Sequence, residues 1–327
     1  MLNTSPGSAR MSRSSVASAK ASRHHKPSSP RTVVGSIAIT HADRIVYPDE
    51  AITKGDVADY YQRIMKWLLP CVLNRPLSVI RCPEGAEKNC FFQKHPIKGL
   101  HHIGTIELKE EKGSLAHYMY AKNADSILEL VQFGAIECHV WGTTINHLET
   151  TDRVVFDLDP SPNVTWNRIV AAARMLKEQL SEMALTSFVR TTGGKGLHVV
   201  VPINPGCSWE IAKNFSHMIA TNMATMQPKE FVDTASKAKR TGKIYVDYLR
   251  NARGATSIAN YSLRERTAAP VATPLRWEEL TRIKGGDAFT IHSLPKRLSR
   301  LSKDPWENIS TVRQSLHAAM KKLDGGA

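Results

Sequence analysis

Apolar residues in this chain recur with two different periods in alternating stretches, and the order of those stretches outlines the fold. Ile37, Ile39 and Ile45 lead to a turn at Tyr47-Pro48-Asp49. Thr53 can cap a helix running to Leu69, with Val57, Tyr60, Tyr61, Ile64 and Leu68 on one face. Short runs suited to strands follow at 77–82 and 90–93, then a polar stretch, then a short helix near 124–133. The middle is more regular. A strand at 153–159, a helix over about 166–183, a strand at 187–192, a tight Gly turn and a strand at 197–202 are followed by a helix over about 209–226. A strand at 244–249, a proline-rich passage at 270–274 and basic, mostly helical residues complete the chain. No internal repeat is visible. Strands and helices interleave without strict βα alternation, which predicts an α+β fold with largely antiparallel sheets.

Composition sharpens this outline. The 327 residues carry 44 Lys plus Arg against 30 Asp plus Glu, a formal net charge of +14, which favours a polyanionic partner. Residues 1–35 contain six basic and no acidic side chains and are rich in Ser and Ala, so they read as a disordered basic arm. The folded unit is expected over 36–310, with a basic tail, helical or disordered, at 311–327. No apolar run approaches the ~20 residues that span a bilayer, and no apolar secretory stretch opens the chain, which points to an intracellular protein without a membrane partner. Five cysteines, Cys71, Cys82, Cys90, Cys138 and Cys207, include no C-x-x-C pair, so scattered reduced thiols are expected rather than a disulfide framework or a zinc knuckle. Cys138 and His139 are neighbours and would point to opposite faces of a strand, which argues against joint ligation of one metal.

Three segments carry chemistry. In Val154-Val155-Phe156-Asp157-Leu158-Asp159-Pro160 an apolar strand ends in two carboxylates that a period of two places on one face. Such a pair can bind Mg²⁺ or Mn²⁺, although a bare D-x-D is also common on surfaces. Lys243-Ile244-Tyr245-Val246-Asp247-Tyr248-Leu249-Arg250 sets Asp247 inside an apolar strand, where it either shares that metal or pairs with Arg250 or Arg253. Between them, Arg190-Thr191-Thr192-Gly193-Gly194-Lys195-Gly196-Leu197-His198 is a donor-rich Gly turn between strands. It is either a plain hairpin turn or an anion cradle. It is not a Walker A motif, because its spacing differs and a strand follows. Together the carboxylates, the Gly turn and the downstream arginines form a consistent set for a nucleoside triphosphate.

The order of D-L-D-P, T-G-G-K-G-L-H, S-K-A-K-R and V-D-Y-L-R-N-x-R-G-A-T resembles the polymerase domain of bacterial ligase D, a branch of the archaeo-eukaryotic primase superfamily, over residues 37–310. The resemblance implies an RRM-like catalytic core with a second layer of mixed structure, two Mn²⁺ or Mg²⁺ ions, and NTP or dNTP substrates. It implies that Asp157 and Asp159 hold both ions and that Asp247 completes the catalytic one, which activates a primer 3′-hydroxyl for in-line attack on the α-phosphate. His139 matches an active-site histidine. Thr192, Lys195 and His198 fall in the triphosphate-binding turn, and Arg250 and Arg264 match active-site arginines. Arg44 and Lys54 match the basic pair that grips a DNA 5′-phosphate, and Phe91 and Phe92 match the aromatics that stack on bases. Thr192 departs from the Ser of many relatives. Lys322-Leu323-Asp324-Gly325 spells the K-x-D-G of a ligase adenylation lysine, and with two residues following it is expected to be coincidental.

The expected function is therefore template-using polymerisation that fills short gaps or extends ends in non-homologous end joining, with a preference for ribonucleotides. Ku and a separate ATP-dependent DNA ligase would be partners, and the protein is expected to be a monomer in the bacterial cytoplasm near the nucleoid. The alternatives are a primase, an excision-repair gap-filling polymerase, and a non-catalytic DNA-end binding module. A metal-dependent nuclease would have little use for the Gly turn.

Overall fold

The structure, a computed structural model, describes residues 32–110 and 113–324, without the side chains of 322–324. Residues 1–31 of the expected arm and the side chains of the K-x-D-G stretch lie outside it. Two small ribbons, β1 (Thr32–Val34) with β2 (Ile37–Ile39) and β3 (Ile45–Tyr47) with β4 (Ile52–Thr53), precede α1 (Lys54–Val72). Thr53 and Asp56 close a capping box there: the Asp56 N–H donates to the Thr53 hydroxyl, and the Thr53 N–H donates to the Asp56 carboxylate. The chain continues through β5 (Pro76–Arg81), β6 (Phe91–Gln93), β7 (Gly104–Lys109), β8 (Leu115–Tyr120), α2 (Ala124–Gln132) and β9 (Ala135–Trp141). Then come β10 (Thr150–Pro160), α3 (Trp166–Glu182), β11 (Phe188–Thr191), β12 (Leu197–Ser208), α4 (Trp209–Met226), β13 (Phe231–Val232) and β14 (Ile244–Asp247). β15 (Thr256–Ile258), β16 (Pro274–Leu275), α5 (Ser293–Leu298) and α6 (Leu316–Asp324) complete it.

Two mixed layers result. One six-stranded sheet has the order β13-β14-β10-β12-β11-β16, antiparallel except for the β13–β14 pair. Phe156, Leu158, Val199, Val201 and Val246 on one of its faces pack against Ile169, Leu176, Phe215 and Ile219 of α3 and α4. The second sheet runs β15-β9-β5-β8-β7, with β6 paired to β5. Its Leu77, Val79, Ile136 and Cys138 are buried with Tyr60, Ile64 and Leu68 of α1 and Ile127 and Leu130 of α2. Because strand side chains alternate, Glu137 and His139 of β9 and Asp157 and Asp159 of β10 lie on the faces turned away from these cores.

Three expectations need correction. The stretch between β6 and α2 is not merely polar: Ile106 and Leu108 alternate with outward polar residues, and β7 and β8 pair over six residues each. The segment after β16 is only partly helical, with turns and extended chain between α5 and α6. Nor are all five thiols reduced, since Cys82 and Cys90 form a disulfide. The β5–β6 register pairs Arg81 with Phe91, so Cys82 and Cys90 follow as the next pair across the hairpin, with Cα atoms 4.4 Å apart. Cys71, Cys138 and Cys207 are free thiols. No helix among the described residues is long and apolar enough to cross a membrane.

Candidate active site

Antiparallel register sets the site. Asp157 of β10 stands opposite Asp247 of β14 on one side and opposite His198 of β12 on the other, and His198 stands opposite Arg190 of β11. Four strands thus present Asp247, Asp157, His198 and Arg190 as one lateral row on the face away from α3 and α4. Arg250 crosses the two aspartates, with its NH2 3.2 Å from Asp157 Oδ2 and its Nε 3.4 Å from Asp247 Oδ2. Arg253, the other partner considered for Asp247, pairs with Glu149 instead. Asp159 is held by Arg240, whose guanidinium also lies over the Tyr245 ring.

Charge within the row is uneven. Burial pushes the Asp157 carboxyl up, but His198 and Arg250 outweigh it and hold the group well below the usual carboxylate range. Asp247 is raised, because burial and the neighbouring Asp157 exceed the help from Arg250. Burial, opposed by Asp157 and aided by Arg190, brings His198 down to about 4, so the imidazole is neutral at pH 7.

The Gly turn joins β11 to β12 just beyond this row. Gly193 has φ +67, and a Cβ there would lie 2.6 Å from Arg264 Cγ; at Gly196 it would lie 2.3 Å from the Leu158 carbonyl oxygen. Thr192 is buried, and its hydroxyl donates to the Gly196 carbonyl and accepts from the Gly194 N–H. Lys195 is exposed and borders a cleft of ≈430 Å³ shared with Tyr47, Glu265 and Arg266. Arg264 joins the two sheets: its NH1 donates to the Thr192 carbonyl, while its Nε lies 3.1 Å from Glu137 Oε1. The other oxygen of Glu137 is 2.8 Å from His139 Nε2. Burial raises the Glu137 carboxyl, yet His139 and Arg264 bring it below its ordinary value.

A second group lies on the amino-terminal side. Arg44 and Lys54 border a pocket of ≈220 Å³ with Arg81, Cys82 and Phe133. Lys54 is buried and donates to the Thr40 carbonyl and to Gln132 Oε1, and burial with the nearby Arg44 brings its ammonium down to about 8. Arg44 donates to the Pro83 carbonyl at 2.7 Å. Phe91 and Phe92 are 43% and 51% exposed, which is incompatible with a core pair. Phe91 lies under the Arg81 guanidinium at 5.2 Å, and Phe92 meets His139 edge-on at 5.9 Å.

The structure therefore brings together Asp157, Asp247, His198 and Arg250, and separately Thr192, Arg264 and His139. It gathers Arg44 with Lys54 and leaves Asp159 turned to Arg240. Three hard carboxylates suit Mg²⁺ or Mn²⁺. Among the described residues, however, the one group of three metal-capable side chains with donor atoms within 4.8 Å of one another is Cys82, Cys90 and Glu265, where the sulfurs are already bonded to each other. The aspartates are instead paired with arginines, Asp157 and Asp247 with Arg250 and Asp159 with Arg240. Sequence reading passed over Glu137, Arg240 and Arg190. Glu137 carried a signal, since it shares a strand face with His139 two residues on.

Comparison with known proteins identifies the family. The family model described as LigD, primase-polymerase domain, matches residues 53–306. The chain belongs to the ligase D primase-polymerase family. It is 35% identical over 298 residues to the multifunctional non-homologous end joining protein LigD of Pseudomonas aeruginosa, covering 90% of this chain and 35% of that protein. It is 30% identical over 279 residues to the bifunctional LigD of Bacillus subtilis, covering 85% of this chain and 44% of that one. The chain thus spans about a third to under half the length of these relatives. Among solved structures, the polymerase domain of Mycobacterium tuberculosis ligase D in complex with DNA superposes with a TM-score of 0.77 at 26% identity, covering 84% of this chain and 98% of that one. The mixed α+β fold with antiparallel sheets expected from the sequence is that of this primase-polymerase family.

Proposed function

We propose that this primase-polymerase domain extends a primer strand across short gaps or at broken DNA ends, gripping the 5′-phosphate beyond the gap, within non-homologous end joining. Residues 36–310 would form the catalytic unit, flanked by a basic arm over 1–35 and a tail over 311–327. The observation that carries the reading is the pairing of two separate sites: the Asp157–Asp247–His198 row beside the donor-rich Gly turn, suited to metal and triphosphate, and the cationic Arg44–Lys54 pocket near the exposed Phe91 and Phe92. A polymerase that needs only an incoming triphosphate has no use for the second.

In this reading Asp157, Asp159 and Asp247 would hold two divalent ions, Mn²⁺ or Mg²⁺, whose chemistry when bound would be Lewis acidity at the α-phosphate and at the primer 3′-hydroxyl. The Gly193–Gly196 backbone, Thr192, Lys195, His198 and Arg264 orient the triphosphate of an NTP or dNTP, with ribonucleotides preferred. Arg250 and Arg240, which lie against these carboxylates, would compete with the ions for them and could face phosphate oxygens instead. Phe91 and Phe92 stack on bases at the gap, and His139, steadied by Glu137, lies beside them. Duplex DNA bearing a 5′-phosphate is the principal partner; Ku and a separate ligase would act before and after it.

Extension of a labelled primer across a short gap tests the reading, with and without a 5′-phosphate on the downstream strand and with NTPs and dNTPs separately. Phosphate-stimulated ribonucleotide addition is expected, lost in Asp157→Ala with folding intact, and made indifferent to the phosphate in the Arg44→Ala, Lys54→Ala double variant. Addition indifferent to the phosphate in the unaltered protein would favour a primase or general polymerase instead.

A further inference from the structure

We infer that Arg190 is a positioning residue that fixes His198 as the neutral imidazole protonated at Nε2, so that this edge of the metal site offers a hydrogen-bond donor and never a nitrogen ligand. The inference rests on the reading of the Asp157–Asp247 row as the metal and triphosphate site.

Hydrogen-bond direction carries the argument. Arg190 Nε and NH2 lie 3.2 and 2.8 Å from His198 Nδ1. A guanidinium can only donate, so Nδ1 must hold its lone pair toward Arg190. A neutral imidazole has a single N–H, which is therefore on Nε2, 3.4 Å from Asp157 Oδ2. An imidazolium or the Nδ1–H tautomer would set two N–H groups against each other inside a buried contact, since Arg190 and His198 are each 3% exposed. The cross-strand register makes the arrangement durable, because Arg190 faces His198 and His198 faces Asp157 in adjacent strand pairs.

Arg190 is itself held on its other edges. Its NH1 donates to Asn260 Oδ1 at 2.7 Å, its NH2 reaches Ser257 Oγ at 3.3 Å, and its guanidinium packs on Trp306 at 5.8 Å. No carboxylate among the described residues lies within ion-pairing distance of it. Asp157 lies on the far side of the imidazole. The order guanidinium, imidazole, carboxylate orients a histidine as carboxylates orient metal-bound histidines, with the opposite polarity. There the outer group accepts a hydrogen bond from one ring N–H and leaves the other nitrogen for the metal; here it donates a hydrogen bond and keeps the second nitrogen protonated. His198 can then hold one Asp157 oxygen or a phosphate oxygen, while the metal finds only oxygen ligands, which suits Mg²⁺ and Mn²⁺ over ions that seek imidazole.

The test combines a spectrum with kinetics. In protein labelled with ¹⁵N in its histidine rings, the His198 signals should show Nδ1 unprotonated and Nε2 protonated at pH 7. Arg190→Met should give a mixture or the reverse tautomer, while Arg190→Gln, whose amide still donates, should keep the original pattern. On gapped DNA with Mn²⁺, Arg190→Met should lose about 10–100-fold in kcat with KM for DNA unchanged, and Arg190→Gln should recover most of the loss. A protonated Nδ1 in the unaltered protein would overturn the inference, as would an Arg190→Met variant that keeps both tautomer and rate. If Arg190→Met does not fold, the unaltered protein and Arg190→Gln still decide. If no nucleotide is incorporated at all, the polymerase reading fails while the spectrum still settles the tautomer.

Discussion

Lys54 shows how one buried charge sets a pH window. Its ammonium, ordinarily near 10.5, is brought to about 8 by burial and by Arg44, so above pH 8 the pocket loses one of the cations that border it. A phosphate dianion must then recover that proton on binding. The preference for 5′-phosphorylated over unphosphorylated gapped DNA should accordingly fall several-fold between pH 7 and pH 9, measured as the ratio of dissociation constants. Lys54→Met should show a small ratio that does not change with pH; a steep, unchanged pH dependence in that variant would remove Lys54 from the pocket. Asp159 offers a second case. Arg240 stands on it with Asp159 itself half-exposed, a contact of the kind that contributes about 0.2–1 kcal/mol. Arg240→Gln should therefore tighten Mn²⁺ binding by roughly two- to five-fold, read by calorimetry without nucleotide. Weaker binding would mean that Arg240 steadies the ion rather than competing with it. The sequence announced the three aspartates because two carboxylates inside apolar strands are chemically costly wherever they occur. It gave no such sign for the arginines, whose partners lie 81 and 93 residues away for Asp159 and Asp157.

Elements were legible where one face is wholly apolar. α1, α3, α4 and β10 could be drawn from their periods alone, because each lays a continuous stripe on a core. β7 and β8 were not: their buried positions are few, their outward faces carry Glu107, Lys109 and His117, and alternation over six residues is hard to tell from loop. The Cys82–Cys90 bond was hidden for a related reason, since only the β5–β6 pairing makes two cysteines eight residues apart neighbours. The amino end of α1 links stability with function. Its cap is Thr53 and its first residue is Lys54, so the capping box that holds the helix also aims the ammonium at the pocket. Thr53→Ala should cost about 1 kcal/mol in urea unfolding, the usual loss for such a cap. It should also weaken the 5′-phosphate preference, while leaving extension on DNA without a downstream phosphate near normal. A stability loss with the phosphate preference intact would show that Lys54 is positioned by Thr40 and Gln132 alone.

The molecule as a whole works by setting the polar faces of two sheets against each other, and that arrangement was the least legible feature. Nothing in the local pattern of β9 says that Glu137 will meet Arg264, 127 residues later, or that Arg264 will reach back to the Gly turn of the other sheet. Glu137 is the hinge of this contact: one oxygen takes Arg264 and the Glu265 N–H, the other takes His139, and its side chain is only 2% exposed. Glu137→Gln keeps the shape and one carbonyl acceptor but removes the charge, leaving Arg264 without its counter-ion and His139 without its carboxylate partner. A loss of about 1–3 kcal/mol at pH 7 is expected. Its pH dependence has a definite sign. The folded carboxyl lies below its ordinary value of 4.5, so its contribution is full above that value and is lost as the pH falls through the acid range. The difference between the two proteins in urea unfolding should therefore be largest near pH 7 and shrink toward pH 4. Incorporation should fall as well, through a higher KM for the nucleotide, because Arg264 would no longer be aimed at the turn proposed to hold the triphosphate. A stability difference that stays constant from pH 7 to pH 4 would place the loss in packing rather than charge, and an unchanged KM would detach the second sheet from nucleotide binding.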